Sequence, residues 1–115
     1  MQNSPGQWIN ELGAAITVTD ANGLICEMNA RSIDTFAADG GAALIGSDVL
    51  ACHSEQSREK VAHLYQTRKP NHYTISKNGQ RKIIHQMPWY QEGKFAGLVE
   101  ISIPIPDELS HFDRD

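Results

Sequence analysis

The sequence predicts an α+β domain: a five-stranded antiparallel sheet, short helices over one face, and an N-terminal helix. Three observations carry this. Alternating apolar residues fall in two blocks, residues 14–28 and 73–103. Asn78-Gly79 interrupts the second block with the strongest hairpin signal in the chain, because both residues tolerate the positive φ of a type I′ turn. Between the blocks the spacing is helical, with caps and glycine stops.

The elements follow in order. Ser4 can cap a first helix, Pro5 suits its first position, and Gly13 supplies its stop. Trp8, Ile9 and Leu12 share one face of that helix. In the next strand, Ile16 and Val18 alternate with Thr17 and Thr19. Asp20-Ala21-Asn22-Gly23 is a tight turn, with Asp at its start and Gly at its end. A second strand then puts Leu24, Cys26 and Met28 on one face, which makes Cys26 a buried, hydrophobe-like thiol. Asn29 can cap a short helix carrying Ile33 and Phe36, which Gly40-Gly41 ends. Residues 44–50 read as a compact apolar segment with one further helical turn. The longest helix starts at a Ser54 or Ser57 cap, carries Val61, Leu64 and Tyr65, and stops before Pro70. His63 falls beside Glu59, away from that stripe, and is expected to face water. Three strands close the chain: Tyr73 to Lys77, Gln80 to Tyr90, and Phe95 to Ile103 after a Glu92-Gly93 turn.

Composition narrows the function classes. The 115 residues fit one domain and are too few for a two-domain enzyme. A net charge of −4 disfavours nucleic acid, whose phosphates call for clustered Lys and Arg. No apolar run reaches the ~18 residues of a membrane span, and the first residues lack a signal peptide's basic start and apolar stretch. The two cysteines, Cys26 and Cys52, have no CxxC spacing, which suits free thiols in a reducing cytoplasm. No GxSxG, HExxH or phosphate-binding loop is present, so an enzyme is not expected.

Several motifs in order resemble the PAS sensor domain over about residues 14–104. Residues 16–25, Ile-Thr-Val-Thr-Asp-Ala-Asn-Gly-Leu-Ile, look like the family's opening strand, D-x-x-G turn and second strand. Met28-Asn29-Ala30 and Leu44-Ile45-Gly46 stand where such domains place an Asn and an Ile-Gly step. Residues 78–101 are similar to the family's last strands, and Cys52-His53 before the long helix resembles a bacterial subgroup. The resemblance implies a sensor with a small internal pocket, homodimerising through its N-terminal helix. It divides the chain into that helix (1–13), the sensor domain (14–106) and a tail (107–115). The tail leaves no room for an output module, so the chain either signals to a partner protein in trans or is part of a longer sensor. The opening Met1 favours the first.

Candidate site residues follow. The pocket walls are expected to include Ile16, Val18, Cys26, Met28, Phe36, Val61, Leu64, Val99 and Ile101. The Asn78-Gly79 register sets His72 opposite His85, and these two with Thr74 would supply polar groups if their face lines the pocket. Tyr73, Ile75 and Ile84 make the opposite face as apolar, so the choice of face stays open. Cys52 and His53 are a candidate haem or metal ligand pair, against a helix-entry histidine bonded to backbone. A flavin-thiol photosensor motif is absent, so flavin is not expected. Trp8, Ile9 and Leu12 are the candidate dimer interface, and a ligand-free dimerisation module is the alternative function. A small enzyme would need an acidic residue pointing inward, and the strand alternation is expected to supply none.

Overall fold

The computed structural model describes residues 6–49 and 55–115. Five antiparallel strands form one sheet in the order β2-β1-β5-β4-β3, where β1 is Ala15–Thr19, β2 Ile25–Met28, β3 Asn71–Lys77, β4 Gln80–Gln91 and β5 Lys94–Pro104. Two helices, α1 (Ala30–Thr35) and α2 (Glu55–Thr67), join the two strand blocks. Among the described residues no helix is long and apolar enough to cross a membrane.

Local chemistry places the turns as expected. Asn78 and Gly79 take φ of 52° and 78°, and the hairpin they close pairs Lys77 with Gln80 and His72 with His85. Glu92 and Gly93 repeat that geometry between β4 and β5. Asp20 Oδ1 accepts the Asn22 and Leu24 amides at 2.9 and 3.0 Å, closing the β1–β2 turn over Gly23 at φ 85°. Helix α2 ends at Thr67. Arg68 then takes φ 57° and donates its amide to Leu64 O at 2.8 Å, an αL cap filled by a residue other than glycine.

Asn29 ties three segments together. Its Oδ1 caps α1 by accepting the Ser32 amide (3.0 Å) and also takes the Ile16 amide of β1 (2.9 Å). Its Nδ2 donates to Ala14 O (2.8 Å) and to Ile9 O (2.9 Å) in the N-terminal segment. Four bonds satisfy a side chain that is 5% exposed.

The N-terminal segment is shorter in helix than expected. Its described part is a single 3₁₀ turn, Gln7–Ile9, and Gly6 before it sits at φ 86°, which a helical residue cannot adopt. Ser4 and Pro5 lie outside the described residues. Residues 45–48 also differ from a helical turn, and Val49 returns to 3₁₀ geometry. After 3₁₀ turns Ala37–Asp39 and Gly41–Leu44, the chain runs antiparallel to β2, exchanging Ile25 N–Ser47 O and Gly46 N–Ile25 O bonds of 2.8 and 2.7 Å. That pairing covers the open edge of β2. At the other edge, β3 is exposed along nearly all its length.

Candidate functional site

The strand registers decide which residues share a face. Partners across an antiparallel ladder point to the same side, and alternate residues to opposite sides. Thr17 pairs with both Met28 and Glu100, and Ile84 pairs with Tyr73 and Ser102. This set faces the helices. Ile16 pairs with Ile101, Ile101 with His85, and His85 with His72, so that set lies on the far side.

On the helix-facing side, a cavity of about 200 Å³ lies between the sheet and the end of α1. Thr35 and Phe36 close it from the helix. Ala15 and Thr17 line it from β1, Glu100 and Ser102 from β5, Lys82 and Ile84 from β4, and Tyr73, Ile75 and Lys77 from the uncovered β3. A second void of about 30 Å³ adjoins it across Thr17 and Glu100, under Val61, Leu64 and Tyr65 of α2. The cavity is therefore apolar in its walls, with charge supplied by Lys77, Lys82 and the half-buried Glu100. Gln86 Nε2 donates to Glu100 Oε1 at 3.5 Å. Burial, helped by the Glu100 charge, pushes the Tyr73 phenol above its ordinary value, which keeps the hydroxyl protonated. Behind the cavity, the Thr17 and Ser32 hydroxyls meet at 2.5 Å, with Ser32 fully enclosed.

The far end of the same face is built around Thr19. Its Oγ1 accepts the Leu98 amide at 3.2 Å and hydrogen-bonds the Tyr65 hydroxyl. Burial raises the Tyr65 pKa, and the Thr19 bond opposes that rise. The Tyr65 ring stands edge-on to Phe95, and the Arg68 guanidinium lies 4.4 Å from the Phe95 centroid. These contacts fasten α2 to the β4–β5 end of the sheet.

The predicted wall residues divide between the two faces. Phe36 borders the larger cavity, and Val61 and Leu64 border the small void; Val99 also lines that void, although its register partners Val18 and Met87 place it on the outer face. Met28 is buried on the helix-facing side of β2 but touches neither space. Ile16, Val18, His72, Thr74, His85 and Ile101 lie on the sheet's other face, away from both. Cys26 departs from the expected alternation and is exposed rather than buried. The register slips between Val18 and Thr19, so Cys26 is the extra residue of a β-bulge and turns outward, its Sγ 3.4 Å from Val18 O. Partial burial and the nearby Glu27 and Asp20 charges raise its pKa, which favours the protonated thiol. Cys52 and His53 lie outside the described residues. His63 is exposed, as expected.

Sequence reasoning missed the cavity's polar residues because the sheet's more strictly apolar alternation belongs to the outer face. Glu100 corrects the expectation that no acidic residue points inward. The hairpin register already contained the signal, since it groups Tyr73, Ile75, Lys82 and Ile84 opposite the histidines.

No family model matches the chain, and no curated protein matches it in sequence. Solved structures do match. The PAS domain of BvgS from Bordetella pertussis aligns with a TM-score of 0.60 at 19% identity, covering 87% of this chain and 82% of that one. A sensory box sensor histidine kinase from Vibrio cholerae gives 0.63 at 11% identity, with 90% of each chain covered. This chain has a PAS fold. The Aer2 receptor of Vibrio cholerae, described as a dual PAS-haem oxygen sensor, agrees at 0.59 and 16% identity over 81% of this chain and 95% of that one. In this PAS fold the five-stranded sheet and short helices stand as the sequence predicted.

Proposed function

We propose that this PAS domain is a non-enzymatic sensory module that holds a small polar ligand in the cavity between β1, β3–β5 and the end of α1. The observation that carries the reading is the mixed lining: Phe36, Ile75 and Ile84 supply apolar walls, while Lys77, Lys82, Tyr73 and Glu100 border the same space. Two lysines suit a carboxylate, and Glu100 suits a hydroxyl or amine on the same molecule. A volume of about 200 Å³ falls below that of pockets for drug-sized compounds, which points to a small metabolite. The described lining of both spaces contains no histidine or cysteine, and Cys52 and His53 lie outside the described residues. The domain works as a cytoplasmic homodimer that passes ligand occupancy to a partner protein. Trp8, 70% exposed, and Leu12, 39% exposed, support the N-terminal segment as the dimer contact.

Native mass spectrometry of the purified chain tests both parts. A bound mass of a few hundred daltons or less is expected on the unaltered protein and is lost on Ser102→Leu, which fills the cavity from β5 while leaving the register intact. A bound mass that survives Ser102→Leu would reject the cavity. Trp8→Ala is expected to shift the spectrum from dimer toward monomer at least about fivefold, about 1 kcal/mol of lost contact. An unchanged distribution would reject the N-terminal interface.

A further inference from the structure

On the outer face of the sheet, away from the cavity, His72 of β3 and His85 of β4 stand directly opposite one another. Their Nδ1 atoms are 2.8 Å apart, and the rings cross at 69° with centroids separated by 5.0 Å. We propose that this pair is a chelating site for a divalent transition-metal ion of the copper–nickel type, held through the two Nδ1 atoms.

The geometry selects the ion. Metal–imidazole bonds are roughly 2.0–2.1 Å long, so two nitrogens meeting at a right angle stand about 2.9 Å apart. The His72–His85 spacing already has that edge length. A tetrahedral ion would open the pair to roughly 3.3 Å, so zinc has to draw the two nitrogens apart as well as turn the rings, where a tetragonal ion only turns the rings. Imidazole also disfavours magnesium and calcium, which prefer oxygen. In the free protein one Nδ1 carries the shared hydrogen and the other accepts it. On binding, the donor ring moves its hydrogen to Nε2, both Nδ1 lone pairs turn to the ion, and water completes the coordination.

The backbone holds the pair in place. Asn71 and Gln86, one register step away, are joined by a 2.9 Å side-chain hydrogen bond, and His85 is paired on its other side with Ile101 of β5. Both strands are thus fixed around the histidines before any ion arrives, which lowers the ordering cost of binding. The site is separate from the cavity because His72 and His85 alternate with Tyr73 and Ile84.

Calorimetric titration of the whole chain with Ni²⁺ decides the matter. One ion per chain is expected, with affinity falling at least about tenfold in both His72→Gln and His85→Gln, since either change leaves a single tether. His63→Gln and His111→Gln should leave that affinity unchanged. Cu²⁺ bound to the unaltered chain should show a tetragonal resonance spectrum with two coordinated imidazole nitrogens, reduced to one in either variant. Affinities within twofold of the unaltered chain in both variants would overturn the site, as would loss of binding in His63→Gln or His111→Gln instead. Both histidines sit on the surface side of the hairpin, and far-ultraviolet circular dichroism of the variants should match the unaltered chain.

Discussion

Gly97→Ala is expected to cost more than about 4 kcal/mol, a large share of the roughly 5–15 kcal/mol that holds a domain of this size folded. A Cβ at this position would stand 1.9 Å from Thr19 O and 2.7 Å from its carbonyl carbon, and both are backbone atoms that cannot turn aside. Gly97 also holds φ at 143°, a region that L side chains rarely adopt. The close approach has a purpose. Thr19 O accepts the Trp89 indole N–H at 2.9 Å, and Thr19 Oγ1 accepts the Leu98 amide, so the end of β1 is pulled down onto β4 and β5. Making room for a methyl group separates these strands and breaks both bonds, and the Tyr65 contact with them. Urea denaturation followed by tryptophan fluorescence and circular dichroism measures the loss. A midpoint matching a change of less than about 1 kcal/mol would show that β1 and β5 are not locked together at Gly97.

Asn29→Ala is expected to cost about 2–4 kcal/mol, the second-largest effect of a single side chain here. It removes the cap of α1 and leaves the Ile16 amide and the Ala14 carbonyl without partners in the buried start of β1. Asn29→Asp separates the contributions. The carboxylate can still accept from Ser32 and Ile16 but sets a charge against the Ala14 and Ile9 carbonyls, so stability should recover only in part. The Ala30 amide, which donates to Asn10 O at 2.9 Å, should exchange faster in both variants as the N-terminal segment lifts away. If Asn29→Asp is as stable as the unaltered chain, the two Nδ2 bonds contribute nothing and the docking of that segment rests elsewhere.

Both positions show what could be read from residues alone. Asn29 before a short helix, Asp20 to Gly23, and Asn78-Gly79 each carry a conformational requirement that few other residues meet, so their turns and the hairpin register follow directly. Alternation then separates the two faces of every strand but does not say which one the helices cover. The usual guide, that the more apolar face is the inner one, fails because the helix-facing side carries Thr17, Glu100, Ser102 and Lys82 around a cavity. The outer side carries Ile16, Val18, Ile101 and Ile103. The hairpin face that the residues left open is the outer one for His72, Thr74 and His85, and their pairing stands. Cys26 was misplaced for a different reason. A bulge adds one residue to β2 and reverses the alternation beyond it, so Ile25 is buried while Cys26 and Leu24 turn outward, and no residue type marks it in the chain. Gly6 does mark the shortened N-terminal helix, since a glycine at the second helical position is a weak choice that here takes positive φ. The positive φ of Arg68, by contrast, has no sequence signal, and its cation–π contact with Phe95 depends on the sheet being formed.

The central claim, a ligand held on the helix-facing side of the sheet, is tested most directly by isoleucine methyl resonances. Ile75 and Ile84 border the cavity, whereas Ile16 and Ile103 belong to the outer face, so one spectrum reports on both sides at once. The probe is a panel of small hydroxy- and amino-carboxylates, added singly to the full chain and to Ser102→Leu. At least one should shift Ile75 and Ile84 saturably, leave Ile16 and Ile103 in place, and lose its effect in Ser102→Leu. Methyls of Ile75 and Ile84 that stay fixed across the panel, in a chain that also carries no bound mass as purified, would contradict the account.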